Sequence, residues 1–485
     1  MQAPEPVDKI EIVYEVFVQS FRDSNGDGIG DLQGLISKLD YIRDLGATAV
    51  WMMPVHPSPS YHKYDVTDYY SIHSDYGTMD DMDQLIAELH RRDMKLILDF
   101  VVNHTSSLHP WFIKSSSLNS NQYQDYYVWR DHTAVQDEIN KKTTTFDSDN
   151  ITQWHAARDD QQRYYGFFWK GMPDLNFDNQ QVREEIYKIG KFWIEKGVDG
   201  FRLDAAKHIY PDDRLDDTRA YWEEFTSTMK SFKPDIKIIG EVWSDPQTLA
   251  TMFKGLPSLF NFELTKSIPK LINDGDVQGF IHSYLSIQSA YEGSAHPVED
   301  AILLSNHDMN RIRSTLQNDI NKSKLAGSIL LTLPGTVYIY YGEEIGMLGM
   351  KPDPNIREPF LWGDENFADT SWMQPVYSLN NAVDPLSVQM KIPGSIYQHY
   401  KKWIAFRKEH PVLSTGKLAF EKSDSNVLTY SITKENEKLL VIHNVGTSTA
   451  NYSLPAKTKI ISGDNEVNDG IIKLLPYTSM ILKYE

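Results

Sequence analysis

Cysteine is absent from the 485 residues of the chain. Its absence excludes disulfide bonds, thiolate metal sites and cysteine nucleophiles, but it identifies no compartment, because exported proteins can also lack cysteine. Long apolar runs are missing as well, since the best candidate, residues 327–341, is interrupted by Thr332, Pro334 and Gly335. We therefore expect no membrane span. The first residues lack the features of a signal peptide, so we expect an extracellular protein whose signal peptide is missing from this sequence or, alternatively, a cytoplasmic protein.

Positive charge is also scarce. The chain has 48 Lys and Arg residues against 67 Asp and Glu residues, for a formal net charge of −19. Because an acidic surface repels phosphate groups and no long basic stretch interrupts it, nucleic acid is not an expected partner. Aromatic residues, by contrast, are plentiful, with 27 Tyr and 11 Trp. Their flat, weakly polar rings suit sugar ligands, although a large aromatic core explains them equally well. We expect a monomer.

Short strand-like runs alternate with amphipathic helical patterns through most of the chain. The eight predicted strands cover residues 12–18, 48–54, 95–102, 200–204, 237–243, 258–262, 301–305 and 336–341. The main helical patterns cover residues 32–45, 79–92, 182–196, 218–232, 277–291, 322–333 and 396–410. Eight strand-then-helix units predict an α/β protein built on a (β/α)8 TIM barrel.

Two stretches break this alternation. Roughly 75 residues after the third strand are rich in polar and aromatic side chains and are too long for an ordinary loop, which predicts an inserted domain. After Pro411, short alternating strands predict a C-terminal all-β sandwich domain. The predicted domains are a barrel at 1–103 and 178–411, an inserted domain at 104–177 and a β-sandwich at 412–485.

Acidic side chains lie at the ends of four of the predicted barrel strands. These acids are Asp99, Asp204, Glu241 and Asp308. In a (β/α)8 barrel the reactive groups lie where the strands end, and four acids at one rim would repel one another in a purely structural role. Converging carboxylates without a Ser/His pair or a His-rich metal set are typical of glycoside hydrolysis, in which one acid attacks or shields the anomeric carbon and another protonates the leaving oxygen.

Five ordered motifs carry a family resemblance. They are DFVVNH at 99–104, MPDLN at 172–176, GFRLDAAKH at 200–208, GEVW at 240–243 and SNHD at 305–308. In these motifs the chain resembles the α-amylase family, glycoside hydrolase family 13. It is most like the α-amylases that lie between the oligo-1,6-glucosidase and neopullulanase groups. The resemblance implies the same barrel, inserted domain and C-terminal β-sandwich over essentially the whole chain.

The resemblance also implies a division of labour among the acids. It makes Asp204 the nucleophile, Glu241 the general acid/base and Asp308 the carboxylate that stabilises the transition state. Arg202 precedes Asp204 by two residues on one strand, so both point to the same face, and the cation should keep Asp204 ionised. Apolar neighbours, Trp243 among them, should raise the pKa of Glu241.

Further residues are expected to bind the sugar chain on the strength of the same resemblance. They are Tyr64, His104, Arg202, Lys207, His208, His307, Asp353 and Arg357. Tyr64 should stack on the sugar at the cleavage point, and the pair Lys207 and His208 should hold the sugars of the leaving group. Asp353 and Arg357 should hold the non-reducing side. Ordinary packing at the barrel rim remains the alternative for the tyrosine, as does burial in the core for the histidines.

An oxygen-rich loop at residues 23–31 predicts a Ca²⁺ site. Oxygen-bearing side chains recur at every second residue and glycines allow a tight wrap, as in the first half of an EF-hand, although position twelve is Gly34 rather than Glu. An Asx-rich turn without metal is the alternative. The resemblance implies a structural calcium bound by Asp23, Asn25, Asp27, Asp31 and the carbonyl of Ile29. It further implies a second site that joins Asn103, the His208 carbonyl and an acid of the inserted domain that the sequence does not identify.

The favoured function is that of a retaining, endo-acting α-amylase on starch and maltodextrins. Ala205 follows the nucleophile, where relatives that cleave α-1,6 bonds tend to carry Val. The alternatives are an exo-acting α-glucosidase or oligo-1,6-glucosidase and a glucan transglycosylase. A non-catalytic carbohydrate-binding relative is a further alternative, but such proteins typically lose the acids that this chain retains.

Overall fold

The computed structural model describes residues 11–140, 153–156, 161–363, 370–378, 382–423, 426–463, 466–468 and 470–485. Eight parallel strands close into a barrel, which confirms the predicted fold class. Barrel strands 1 to 8 are Ile12–Val16, Ala49–Met52, Lys95–Phe100, Gly200–Leu203, Lys237–Gly240, Ser258–Phe260, Glu299–Leu303 and Thr336–Tyr340. Strand 1 closes the ring, because Tyr14 pairs with Val50 on one side and with Ile339 on the other. Most strand residues are buried, as expected where helices cover a parallel sheet.

Helices surround the barrel. The principal ones are Leu32–Ser37, Leu39–Leu45, Met79–His90, Gln180–Lys196, Leu215–Phe232, Pro246–Met252, Phe262–Asp274, Val277–Glu292, Ile320–Thr332 and Ile396–Glu409. Shorter helices are Ile312–Thr315, Asp353–Ile356, Leu386–Gln389 and Val412–Thr415. The helix predicted over 32–45 is two helices that meet at Lys38, and Phe262–Asp274, which contains Pro269, was not predicted.

The inserted segment forms a unit of its own beside the end of barrel strand 3. Its three-stranded antiparallel sheet consists of Trp129–Asp131, Trp154–Ala156 and Gln162–Tyr165, and its helices are Pro110–Ser115 and His132–Asn140. Two backbone bridges, His104 with Asp174 and Tyr127 with Leu175, tie the end of this segment to its start and to its middle part. These bridges bring the MPDLN motif next to the end of barrel strand 3. The exact boundaries of the domain stay predictions.

The C-terminal region is an all-β domain, as predicted. Its strands are Lys417–Phe420, Val427–Lys434, Glu437–Asn444, Ala450–Ser453, Thr458–Gly463, Glu466–Asn468, Ile471–Leu474 and Thr478–Tyr484. They form a five-stranded and a three-stranded antiparallel sheet. Leu440, Ile442 and Leu482 of one sheet pack with Ile472 and Leu474 of the other in a common apolar cluster. No helix in the described ranges is long and apolar enough to cross a membrane.

Candidate active site

A cavity of about 310 Å³ opens where the barrel strands end. Nine of the predicted site residues line it: Tyr64, His104, Asp204, Lys207, His208, Glu241, Asp308, Asp353 and Arg357. Arg202 and His307 are completely buried and reach the cavity through the carboxylates that they contact. Larger hollows of about 960 and 1060 Å³ lie against the C-terminal domain and contain none of these residues. The convergence of acids, rather than the size of the hollow, marks the candidate site.

One arginine connects the acids that follow barrel strands 4 and 5. Arg202 Nη1 is 2.7 Å from Asp204 Oδ1, and its Nη2 is 2.8 Å from Glu241 Oε2. Nη1 also lies 2.9 Å from Oδ1 of Asp99, which is fully buried. The backbone N–H of Ala205 donates to Glu241 Oε2 at 3.1 Å. A single guanidinium therefore holds two acids of the cavity side by side.

Burial raises the pKa of both of these acids. For Glu241, burial together with the charges of Asp204 and Asp308 outweighs the opposing effect of Arg202. Trp243 was expected to raise this pKa as an apolar neighbour, but its indole N–H donates to Glu241 Oε1 at 3.0 Å and lowers it. The direction of the shift and its main cause, burial, agree with the expectation, whereas the Trp243 N–H acts in the opposite direction. Burial likewise raises the pKa of Asp204; Arg202, which was expected to keep this acid ionised, opposes the rise but does not cancel it.

A second network centres on His307. Its Nδ1 is 2.5 Å from Glu15 Oε1, and its Nε2 is 2.9 Å from Asp308 Oδ2. Nε2 also lies 2.6 Å from the hydroxyl of Tyr64, which donates to Asp99 Oδ2 at 3.1 Å. Burial acts to lower the pKa of His307, but Asp308 and Glu15 outweigh it and raise the pKa to about 10. Both ring nitrogens therefore carry protons at neutral pH.

Asp308 is held from its other side by Arg357. Arg357 Nη2 is 2.9 Å from Asp308 Oδ1 and 3.3 Å from Asp353 Oδ2, and Nη1 donates to the Tyr61 hydroxyl at 3.1 Å. Burial acts to raise the pKa of Asp308, but His307 and Arg357 more than offset it and hold this pKa well below its usual range. Asp308 therefore remains an anion at neutral pH.

Three more histidines, His62, His104 and His208, line the cavity and are neutral. Burial lowers the pKa values of His104 and His208 to about 4. Nε2 of His104 lies 3.2 Å from the carbonyl oxygen of Tyr64, so it carries the proton of the neutral ring. The ring of His208 stacks on Phe167, with centroids 3.9 Å apart. Lys207, at the same rim, forms an ion pair with an acidic side chain outside the cavity.

Two features of the site were not predicted. Glu15 is a buried acid within the apolar barrel strand 1, and this isolated charge was the signal available in the sequence. The run Phe167, Phe168 and Trp169 of the inserted domain also lines the cavity. Three consecutive aromatic residues were visible in the sequence, but packing within the insert explained them equally well.

The charge of His307 leads to a prediction on pH. Because its pKa is about 10 in the folded protein and 6.5 without perturbation, its stabilising effect is complete below pH 6.5 and is lost as the pH rises through 10. In the variant Glu15→Gln we expect the pKa of His307 to fall by about 1–3 units. Histidine-selective NMR titration measures this shift.

A matched control for this prediction is Glu344→Gln. Glu344 is another fully buried glutamate, and it accepts a hydrogen bond from Tyr14 rather than from a histidine. Its replacement should leave the titration of His307 unchanged. An unchanged His307 pKa in Glu15→Gln would show that Asp308 alone keeps the imidazole charged.

The oxygen-rich loop lies between barrel strand 1 and helix Leu32–Ser37. Asp23 accepts the N–H groups of Asn25, Gly26 and Gly28, and Asp27 accepts that of Ile29. The loop therefore coils around its own carboxylates. Its donor set consists entirely of oxygen, which suits a hard cation.

Asp31 fastens the ends of this loop. Its Oδ1 accepts the N–H of Gly34 at the start of the helix, and its Oδ2 accepts from both Ser24 groups. Within the described part of the chain, no group of three or more His, Asp or Glu side chains is arranged to hold a metal ion. A cation at this loop would therefore need amide and carbonyl oxygens to complete its ligands.

A buried acid of the inserted domain lies where the second calcium was expected. Asp174, from the MPDLN motif, hydrogen-bonds with Asn103, and the N–H of Phe167 donates to its Oδ1 at 3.1 Å. Burial raises the pKa of Asp174 to about 8, and Oδ1 of Asn103 has no hydrogen-bond partner. An unpaired buried oxygen beside a buried carboxylate fits a cation ligand set. Asp174 is therefore the acid of the inserted domain that this expectation would require.

Comparison with known proteins decides the family. The family described as "Alpha amylase, catalytic domain" matches residues 15–416, and the one described as "Alpha-amylase SusG C-terminal domain" matches residues 427–481. The chain belongs to the α-amylase family. This confirms the resemblance drawn from the five motifs, and it confirms that the protein is a glycoside hydrolase.

Individual members of the α-amylase family match nearly the whole chain. "Alpha-amylase 3" of Dictyoglomus thermophilum is 47% identical over 99% of this chain and 94% of its own length. A "4-alpha-glucanotransferase" of Thermotoga neapolitana is 36% identical over 90% of this chain and 95% of its own. The crystal structure of an alpha-amylase from H. orenii superposes with a TM-score of 0.90 at 38% identity, covering 98% of this chain and 99% of the other.

Proposed function

We propose that the protein is a retaining, endo-acting α-amylase that hydrolyses α-1,4-glucosidic bonds in starch and maltodextrins. The observation that carries the proposal is the bridging of Asp204 and Glu241 by one guanidinium beside the anion Asp308. In retaining glycosidases the two reacting carboxyl groups lie about 5–5.5 Å apart, without room for a water molecule between acid and substrate. Two acids that contact the same guanidinium lie close together, which supports the retaining arrangement over the wider inverting one.

Each acid then has a defined task. Glu241, whose pKa is raised by burial, donates its proton to the glycosidic oxygen as the bond breaks. Asp204 attacks the anomeric carbon from the opposite face and forms a glycosyl ester. In the second step a water molecule attacks this ester while Glu241 accepts a proton from the water, and the Asp204 carboxylate is released. Asp308, kept charged by His307 and Arg357, stabilises the positive charge that develops on the sugar ring.

The α-1,4 linkage and the endo mode of cleavage are supported by one relative and by two residues of the cavity. The relative with 47% identity is named an alpha-amylase, and Lys207 and His208 line the cavity where leaving-group sugars are expected. The likeness to a 4-alpha-glucanotransferase keeps transglycosylation as the second candidate, because that reaction uses the same glycosyl ester with a sugar acceptor in place of water. The presence of all three acids at one cavity argues against a non-catalytic carbohydrate-binding relative.

The products from defined substrates test the proposal. With soluble starch, an endo-acting hydrolase should release a range of maltooligosaccharides early in the reaction, and isomaltose should be left intact. Release of glucose alone from chain ends would favour an exo-acting α-glucosidase. Chains longer than the starting maltooligosaccharide would favour a transglycosylase.

We also propose that calcium bound at residues 23–31 stabilises the fold and takes no part in the chemistry. Asp23, Asn25, Asp27, Asp31 and the Ile29 carbonyl would hold it, and Asn103 with Asp174 would contribute to a second site. The all-oxygen donor set of the loop supports this proposal. Secretion and a monomeric state remain predictions of the sequence.

The calcium proposal predicts a reversible effect on stability. EDTA should lower Tm and added calcium should restore it, because binding to the folded state contributes about 2.7 kcal/mol at a free ion concentration one hundred times Kd. Asp27→Ala should have a lower Tm that calcium raises much less. Differential scanning calorimetry with metal analysis measures both effects. An unchanged Tm in EDTA together with metal-free protein would show that the loop is only an Asx-rich turn.

A further inference from the structure

Trp169 is an exposed aromatic side chain at the cavity. It is 40% exposed and lines the cavity together with Phe167 and Phe168. Large aromatic groups are usually withdrawn from water, and an exposed ring in a cleft is characteristic of a ligand-binding surface. The face of an indole is a suitable platform for the C–H face of a sugar ring.

A glycine holds this indole in place. A Cβ atom built on Gly171 would lie 2.2 Å from Cζ2 of Trp169 and 2.6 Å from Cε2 and Cη2. The ring therefore rests directly on the backbone of residue 171, where no other amino acid would leave space. Such close support fixes the orientation of an otherwise exposed side chain.

The two residues before Trp169 in the chain contact histidines of the cavity. The ring of Phe167 stacks on His208, and the ring of Phe168 packs edge-on against both His208 and His104. The aromatic run that ends in Trp169 therefore begins beside His208, and we place Trp169 on the same side. Arg357, which pairs with both Asp308 and Asp353, is expected on the other side of the cleavage point by the family resemblance.

We propose that Trp169 forms a further binding subsite for α-glucan, in which its indole stacks on a glucose unit on the leaving-group side of the cleavage point. The proposal rests on the proposed function, because it assumes an α-1,4-glucan in the cavity. It adds a determinant of where a long chain is cut. Gly171 is a positioning residue for this subsite, since it acts only through the indole.

Three variants test the proposal. Trp169→Ala should raise KM for maltoheptaose on the order of tenfold and change kcat little, because a truncated aromatic anchor weakens binding without touching the reacting groups. Trp169→Phe should lie between Trp169→Ala and the wild type. Gly171→Ala keeps the indole but must displace it, so it should resemble Trp169→Ala. Phe232→Ala removes a ring of similar exposure, 39%, outside the cavity and should behave as the wild type.

Cleavage of maltoheptaose labelled at its reducing end reports the side of the subsite. Loss of a leaving-group subsite should move the cut toward the labelled end, so that labelled products become shorter. Longer labelled products would place the ring on the opposite side and overturn the assignment. An unchanged KM and product pattern in Trp169→Ala would overturn the subsite itself.

The proposed function and this subsite fail in different ways. If the wild type does not cleave α-1,4 bonds in starch, the proposed function is wrong. If the wild type cleaves them but Trp169→Ala and Gly171→Ala match it in KM and products, only the subsite is wrong. Isothermal titration of maltoheptaose into the inactive variant Glu241→Gln measures the affinity of the substrate without turnover. The same titration into the double variant Glu241→Gln/Trp169→Ala should show weaker binding, and equal affinities would again contradict the subsite.

Discussion

Replacing Glu241 with glutamine is expected to lower kcat by about 10²–10⁴-fold or more, because the variant cannot protonate the leaving oxygen. The amide keeps the shape of the side chain, and its oxygen can still accept the N–H of Ala205 that now bonds to Oε2. Oligosaccharide affinity should therefore change little. Steady-state kinetics on maltoheptaose and isothermal titration measure the two quantities separately.

A control is needed because Glu241 also pairs with Arg202. Melting curves of the wild type and of Glu241→Gln show whether loss of this charge unfolds the protein. Substrates with a good leaving group, such as aryl maltosides, need little protonation and should lose less activity than maltoheptaose. A variant with near wild-type kcat on maltoheptaose would show that another group is the acid.

Replacing Asp204 with asparagine is expected to reduce kcat on the order of 10⁴-fold or more, as loss of a covalent nucleophile does in other hydrolases. The amide oxygen can still accept from Arg202 Nη1, which lies 2.7 Å from Oδ1 in the wild type. The loss should therefore lie in the chemical step rather than in the fold. Mass spectrometry with a slow fluorinated glucosyl substrate should detect a glycosyl ester on the wild type and none on Asp204→Asn.

Asp99 provides the comparison for this variant. It contacts the same guanidinium but is fully buried and does not line the cavity. Burial raises its pKa to about 7. Asp99→Asn should lower stability and disturb activity only through Arg202 and Tyr64. A glycosyl ester that persists in Asp204→Asn and is lost in Asp99→Asn would reverse the two roles.

The barrel could be predicted from the sequence because strand and helix patterns differ in period. Buried parallel strands are short apolar runs, and helix Met79–His90 buries Met82, Leu85, Ile86 and Leu89 at helical spacing. Helix Phe262–Asp274 was not predicted because Pro269 lies within it, and proline normally ends a helix. In the folded protein the helix continues through this residue. The break at Lys38 likewise has no counterpart in the apolar pattern over residues 32–45.

The catalytic acids could be located because each follows a barrel strand, and parallel strands all end at one rim. Their electrostatics could not be derived in the same way. Sequence spacing relates Arg202 to Asp204 along one strand, but the contact of Arg202 with Glu241 crosses between two strands. Glu15 reaches His307 across 292 positions of the chain, and only the closed barrel brings them together.

The anomeric configuration of the first product tests the central claim most directly. Double displacement through Asp204 inverts the anomeric carbon twice, so hydrolysis of an α-1,4-glucan must first release the α-anomer. Proton NMR during the first minutes of turnover, before mutarotation, resolves the two anomers. The account predicts an initial α-anomer signal that later relaxes toward the equilibrium mixture. An initial β-anomer would mean that water attacks the sugar directly, and the assignment of Asp204 as nucleophile would then be wrong.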